Sequence, residues 1–218
     1  MTNIKHHLND ALLISYAAGN LPEAFGLVVA THVSMCDDCR VRLEAFEAVG
    51  GAMLSGTSGD SATSEMEVDL DATLALIAQD PVDRKAPIRI KPGLFPTALQ
   101  DYVGGDLDAV KWRPVGMGVR QAILPTSKDA SVRLLHIPAG CAVPDHGHRG
   151  TELTLVLQGA FRDEFDRFGP GDLEIATEED EHTPVAEAGV DCICLAATDA
   201  PLKFRGIIQR IAQPFLRI

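Results

Sequence analysis

The sequence lacks the features that place a protein in or across a membrane. Its longest apolar runs, ALLISYAAG and FGLVVA, are far shorter than the ~20 residues that a membrane-spanning helix needs. The opening residues, MTNIKHHLND, contain no apolar stretch of the kind found in signal peptides. We therefore expect a cytoplasmic protein that does not bind a membrane.

Basic residues are also scarce. The 218 residues include 19 Lys or Arg against 31 Asp or Glu, a net charge of −12. Residues 1–85 alone hold 13 acidic against 5 basic residues, a net charge of −8. Because nucleic-acid binding depends on Lys and Arg to neutralise phosphate, this composition argues against direct nucleic-acid binding and is compatible with a basic protein partner.

Cysteine is rare, and two of the five cysteines stand in a C-x2-C step at Cys36 and Cys39. An odd number of cysteines in a reducing compartment favours metal binding or redox chemistry over a disulfide framework. Cys192 and Cys194 share one face of a predicted strand. We expect them to be core residues, with redox pairing as the alternative.

Residues 9–50 show the pattern of three helices. Asn9 can cap the first helix, Gly19 can end it, and Pro22 stands near the start of the second, PEAFGLVVATHVS. The third, RVRLEAFEAVG, follows the second cysteine. The Gly/Ser/Thr-rich residues 50–64 predict a loop, and EMEVDLDATLALIAQD predicts a fourth, acidic helix.

A change of pattern divides the chain. Four prolines between residues 81 and 96 predict a tether. Short apolar runs broken by Gly, Pro or Asp follow, and they predict a β-sandwich or barrel. We expect an α+β protein of two domains. The predicted parts are a small helical bundle at 1–85, a linker at 86–102, an all-β barrel at 103–200, and a tail at 201–218 packed on or after the barrel.

A first candidate metal site lies in the helical part. In a helix, residues three and four positions apart share a face, so His32, Cys36 and Cys39 can converge. A tetrahedral structural zinc needs a fourth ligand, for which His6 and His7 are the candidates nearby in sequence. A bundle with so small a core gains stability from such a metal. The alternative is a chance pair of cysteines beside a solvated histidine.

The helical part resembles a known domain. The HH doublet followed by DALLISYAAGNL, together with H-x3-C-x2-C in an acidic segment, is similar to the zinc-binding anti-sigma domain. The resemblance implies that the helices bind an extracytoplasmic-function sigma factor and deny it RNA polymerase. It favours His7 over His6 as the fourth zinc ligand.

A second candidate metal site lies in the β part. The spacing Gly140-x5-His146-x-His148-x3-Glu152-x6-Gly159 is similar to the first sequence motif of the cupin family. Side chains alternate along a strand, so the two histidines point the same way. In ELTLVL, the glutamate and the residues two and four positions later face inward, whereas the three leucines pack outside.

The cupin resemblance implies a fourth ligand further along the chain. In the stretch PGDLEIATEEDEHTP, His182 stands where a second cupin motif places a histidine, although the usual Asn does not follow. We therefore predict that His146, His148, Glu152 and His182 hold a divalent metal, most favourably Zn²⁺, with Mn, Fe or Ni as alternatives. The alternative is a cupin barrel whose histidines hold no metal.

The two sites together resemble the ChrR family of anti-sigma factors over nearly the whole chain. This implies that the helical domain suffices for inhibition and that the cupin domain is needed for release under oxidative stress, such as singlet oxygen or organic hydroperoxide. We expect no enzymatic activity. The alternatives are a metal-dependent, dioxygenase-like cupin enzyme with an accessory helical domain and, disfavoured by the acidic N-terminal part, a zinc-dependent DNA-binding regulator.

Overall fold

The computed structural model describes residues 4–56, 70–79, 93–144, 146–147, 149–201 and 203–204. Within these ranges the α-helices are α1 (Asp10–Ala17), α2 (Glu23–Met35), α3 (Asp37–Gly56), α4 (Leu70–Gln79) and α5 (Thr97–Val103). The strands are β1 (Arg113–Gly116), β2 (Val119–Leu124), β3 (Ser131–Ile137), β4 (His146–Gly147), β5 (Glu152–Gln158), β6 (Phe161–Arg162), β7 (Arg167–Phe168), β8 (Leu173–Ala176), β9 (Glu181–His182), β10 (Val185–Ala186), β11 (Cys192–Thr198) and β12 (Lys203–Phe204). Helices therefore precede strands, which confirms the expected α+β class. None of the helices described is both long enough and apolar enough to cross a membrane.

The first two helices begin where local signals predict. The Asn9 side chain caps α1 by accepting a hydrogen bond of 2.9 Å from the Leu12 amide. Gly19 follows the helix with a φ of 69°, a left-handed conformation that glycine adopts without strain. Pro22 immediately precedes α2. These predictions from sequence are confirmed.

Helix α3 is longer than predicted at both ends. It begins at Asp37, so that Cys39 lies in its first turn, and it continues through residues 50–56. The prediction of a loop from residue 50 was therefore wrong for those residues. Acidic side chains in the first turn interact favourably with the positive end of the helix dipole. In the last turns, Ala, Met and Leu offset the low helix propensity of three glycines.

The connection to the β part contains a helix that the sequence analysis missed. Helix α5 occupies the second half of the predicted linker, where Leu99 is fully buried and the Gln100 side chain donates to the Phe95 carbonyl at 2.7 Å. Helix α4 lies within the predicted fourth helix. Residues 57–69 and 80–92 lie outside the described residues, and the proposed domain boundaries stay predictions.

The β part is built on a six-stranded antiparallel sheet in the order β1-β2-β3-β11-β5-β8. Two three-stranded sheets, β10-β6-β7 and β12-β4-β9, accompany it. The faces of β5 alternate as predicted: Leu153, Leu155 and Leu157 belong to the core beneath the helices, whereas Val156 packs on the opposite face with Cys192 and Cys194.

The helices and the large sheet share one hydrophobic core. Helix α2 packs against β11, β5 and β3. Its Phe25, Val28 and Val29 belong to the same buried cluster as Leu155 and Leu195 of the sheet. The sheet therefore covers the apolar side of the second helix.

Residues 4–7, which we call the N-terminal strap, cross from the helices to the sheet. The Asp172 carboxylate accepts hydrogen bonds from the amides of Lys5 at 2.6 Å and His6 at 3.0 Å. The Leu173 amide donates to the His6 carbonyl at 3.2 Å. Gly171 has a φ of 90°, and a Cβ there would lie 2.6 Å from Ile4 Cδ1. This turn therefore requires glycine.

Candidate metal centres

The first candidate centre, which we call the helical cluster, consists of His7, His32, Cys36 and Cys39. His7 precedes α1, His32 lies in the last turn of α2, and Cys39 lies in the first turn of α3. Cys36 is the extended residue between the two helices, and its amide donates to the His32 carbonyl at 2.9 Å. This reversal of the chain brings two thiols and an imidazole to one point.

The four side chains have the spacing of a tetrahedral metal site. Their ligand atoms all lie within 4.8 Å of one another. His7 Nδ1 is 3.3 Å from Cys36 Sγ and 3.7 Å from Cys39 Sγ, and His32 Nε2 is 3.3 Å from Cys39 Sγ. Tetrahedral zinc, with bonds of about 2.3 Å to sulfur and about 2.0 Å to nitrogen, has edges of roughly 3.3 to 3.8 Å. The cluster could therefore hold a metal ion.

Burial sets the protonation states in the helical cluster. Burial and the neighbouring His7 lower the pKa of His32 to about 4, so this imidazole is neutral at pH 7. Burial raises the pKa of the Cys39 thiol to about 11. A neutral imidazole is ready to bind a metal, whereas the buried thiolate is stabilised only when a cation is present.

The structure separates the two N-terminal histidines. His6 turns toward the β part, where its Nε2 lies 3.1 Å from the Asp166 carboxylate and its ring centre 4.4 Å from that of Phe168. His7 turns toward the two cysteines. Of the pair that the sequence left open, His7 belongs to the helical cluster.

Of the four ligands predicted for the second candidate centre, the structure describes the side chains of Glu152 and His182. His148 lies outside the described residues, as does the side chain of His146. The backbone of His146 pairs with that of His182 across β4 and β9. Glu152 lies at the start of β5, where it accepts a hydrogen bond of 3.0 Å from Thr154 Oγ1. The four-ligand set therefore stays a prediction.

Two carboxylates that the sequence analysis missed surround His182, and we call the three side chains the buried triad. His182 Nδ1 lies 3.2 Å from Asp163 Oδ2 and 2.9 Å from Glu174 Oε1. His182 and Glu174 are only 3% and 8% exposed. The sequence could have indicated Glu174, because side chains alternate along a strand. Glu174 therefore lies on the face opposite Leu173 and Ile175, away from the helices. Asp163 gave no comparable signal.

The buried triad is strongly coupled. Burial alone would lower the pKa of His182, but hydrogen bonds and charges of Glu174, Asp163 and Glu152 raise it to about 9. Burial raises the pKa of Glu174 to about 7. The three ligand atoms could themselves hold a metal ion. Alternatively, the carboxylates accept the Nδ1 proton and leave Nε2 to a metal, as is usual for ligating histidines.

A pair of thiols lies on the same inner face of the large sheet. Cys192 Sγ and Cys194 Sγ are 3.5 Å apart, and both side chains are buried. The contact with Cys192, followed by burial, raises the pKa of Cys194 well above its usual value. Both residues belong to the apolar cluster on that face, as expected of core cysteines.

Comparison with known proteins identifies relatives over nearly the whole chain. The family model described as "ChrR Cupin-like domain" matches residues 100–200. The chain is 58% identical over 215 residues to the anti-sigma-E factor ChrR of Cereibacter sphaeroides, covering 99% of each chain. A crystal structure of Rhodobacter sphaeroides SigE in complex with the anti-sigma ChrR matches with a TM-score of 0.74 and 59% identity, covering 90% of this chain and 100% of that one. These features define a cupin-containing anti-sigma factor. The chain belongs to the ChrR family.

Proposed function

We propose that this chain inhibits an extracytoplasmic-function sigma factor by binding it and denying it RNA polymerase. The observation that carries the proposal is that α3 and α4 each expose large apolar side chains. On α3, Val49 and Met53 are 59% and 69% exposed, and on α4, Leu76 and Ile77 are 66% and 64% exposed. Exposed apolar groups of this kind mark protein interfaces.

The charge of the helical part supports a protein partner. Residues 1–85 carry a net charge of −8. Such a field attracts a basic protein surface and repels nucleic acid, so we propose no direct contact with DNA. The partner, RNA polymerase and this chain would meet in the cytoplasm.

Zn²⁺ is the metal that best suits the helical cluster. Two thiolates and two imidazoles are a donor set typical of structural zinc, and they leave no position open for catalysis. The metal would join the N-terminal strap, through His7, to the α2–α3 turn. Its role is to hold the helices in the arrangement that binds the sigma factor.

The β part is proposed to control release. His146, His148, Glu152 and His182 would hold a second divalent metal, with Zn²⁺ first and Mn, Fe or Ni as alternatives. Modification at this centre by singlet oxygen or organic hydroperoxide would change how the sheet supports the helices. The sigma factor would then be released. No catalytic turnover is required, so we propose that the chain is not an enzyme.

The N-terminal strap offers a route between the two centres. Glu174 of β8 contacts His182, and the adjacent Leu173 and Asp172 hold the strap at His6. The next residue is His7 of the helical cluster. A displacement of β8 would therefore act directly on a zinc ligand and on the helices that it orders.

Affinity capture from native cells with the full-length chain tests the sigma-factor proposal. The double variant Val49→Asp/Leu76→Asp should lose a near-stoichiometric sigma factor that the unaltered chain retains. Val190→Asp is the matched control, because Val190 is 55% exposed but lies on the β part. Retention of the sigma factor by the double variant, or its absence from the unaltered chain, would refute the proposed surface.

The double variant His146→Ala/His148→Ala tests release of the sigma factor separately from its inhibition. We expect this variant to bind the sigma factor as the unaltered chain does but to retain it when cells are exposed to singlet oxygen. Normal stress induction in this variant would reject the sensing role and leave the inhibitor role intact. Oxygen uptake by iron-loaded protein with diketones or thiols would instead favour the enzyme alternative.

A further inference from the structure

A cavity of about 1020 Å³ lies at one end of the six-stranded sheet. Its wall includes the turn at 125–130 between β2 and β3, the last residue of β11, Thr198, and the residues 199–201 that follow. None of the side chains of the helical cluster or the buried triad lines it. It is therefore distinct from the helical cluster and from the buried triad.

Cations dominate this wall although the chain as a whole is acidic. The basic side chains that line it are Lys111, Arg113, Lys128, Arg133 and Arg149. Only two lining residues are acidic, Asp129 and Asp199, so the formal charge of the wall is +3. The Asp199 carboxylate already accepts a hydrogen bond of 2.9 Å from the Thr151 amide. The cavity thus concentrates positive charge on a chain whose net charge is −12.

The innermost cation is Arg133. It is 6% exposed, and its guanidinium donates to Gln121 Oε1 at 3.3 Å and Ser131 Oγ at 3.2 Å. Both acceptors are neutral, and within the described part of the chain no ion pair to a carboxylate accompanies them. Burial lowers the pKa of Arg133, and the charge of Glu152 offsets this only in part. A buried guanidinium without a contacting counter-charge is costly to fold.

We infer that the cavity binds a small organic anion whose carboxylate pairs with Arg133. The planar guanidinium presents parallel N–H groups that match a carboxylate in a bidentate pair. Arg113 and Arg149 would draw the anion in from solvent, and Ile123 and Pro125 of the wall would contact its apolar part. Residues 205–218 contain three arginines and no acidic side chain, so their charge does not suit this cavity.

Isothermal titration calorimetry on the metal-loaded, full-length chain tests this inference. The probes are acetate, succinate and benzoate, and the uncharged controls are acetamide, succinamide and benzamide. Arg133→Gln removes the charge but keeps a polar group beside Ser131, and Arg113→Gln removes a cation nearer the mouth. Arg120→Gln is the matched control, because Arg120 is an exposed arginine of β2 that does not line the cavity.

We expect at least one carboxylate to bind with 1:1 stoichiometry, its amide not to bind, and added NaCl to weaken the interaction. Arg133→Gln should lower the affinity at least tenfold and Arg113→Gln at least threefold, with Arg120→Gln unchanged. If circular dichroism shows that Arg133→Gln does not fold, the affinity of Arg113→Gln for the carboxylate tests the inference. Failure of all three carboxylates to bind, or wild-type affinity in Arg113→Gln and in any folded Arg133→Gln, would overturn the inference.

Discussion

At the scale of residues, the protein contains buried polar side chains whose charged forms are unfavourable without a partner. Cys39 is fully buried and its thiol pKa is raised to about 11, yet it faces His7 and His32 within hydrogen-bonding distance. Packing alone would not select two histidines and two cysteines at one point. The proposed metal would account for their arrangement, because it would convert buried thiols into bound thiolates.

Cys39→Ser should therefore remove one metal ion and destabilise the chain. Loss of a structural metal is among the largest effects of a single substitution, and we expect the free energy of unfolding to fall by on the order of 4 kcal/mol. Metal analysis and thermal unfolding measure the two effects. Cys141→Ser is the control, since Cys141 is half-buried outside the helical cluster. Equal metal content in the two variants would contradict the assignment.

The buried triad makes a second prediction at this scale. Glu174→Gln keeps the size of the side chain but removes the charge that holds His182. Loss of such a partner lowers metal affinity by about tenfold to a hundredfold, so the β part should release its metal at lower chelator concentration. The comparison variant is Glu178→Gln, whose side chain is exposed. Identical chelation curves would show that Glu174 does not support a metal ligand.

At the scale of elements, the N-terminal strap has the most specific contacts. A single buried carboxylate, Asp172, accepts both strap amides. Just after the strap, the Arg42 side chain of α3 donates to the Leu8 carbonyl at 2.9 Å and pairs with Asp10. The strap is thus fixed between the sheet and the helices.

Asp172→Ala should free the strap without removing a metal ligand. Three hydrogen bonds to a charged acceptor are lost, from the amides of Lys5, His6 and Gly169, and we expect the free energy of unfolding to fall by at least about 2 kcal/mol. Hydrogen exchange of the Lys5 and His6 amides should become much faster. Asp180→Ala, which removes a carboxylate that bonds only its own turn at Thr177, should leave those amides protected. Unchanged exchange in Asp172→Ala would refute the strap.

Sequence patterns predicted those features of the fold and of the site that are determined by residues close together in the chain. Asn9, Pro22 and the H-x3-C-x2-C spacing each specify a local conformation, and the alternation in β5 specifies which side chains face the helices. Asp172 gave no comparable indication of its partners, because Lys5 and His6 lie far away in sequence. The contact of Glu174 with His182 depends on how the chain between β8 and β9 folds back, which the local pattern does not specify. Helix α5 was missed because nearby prolines predict a break, whereas the burial of Leu99 stabilises the helix in the folded chain.

At the scale of the whole molecule, the hydrophobic core shared by the helices and the large sheet connects the two candidate metal centres. Helix α2 ends at the helical cluster and packs on β11 and β5. The proline-rich connection predicts two parts joined by a tether, and the structure adds that one buried apolar cluster crosses from the helices to the sheet. A change in the β part therefore reaches α2 through direct packing as well as through the strap.

The central claim is that the chain inhibits transcription by binding a sigma factor. The most direct measurement is in vitro transcription with RNA polymerase and the captured sigma factor, titrated with purified full-length chain. We predict complete inhibition near a 1:1 ratio of chain to sigma factor. Val49→Asp/Leu76→Asp should require at least tenfold more protein, and Val190→Asp should inhibit like the unaltered chain. Undiminished transcription at excess unaltered chain would contradict the account.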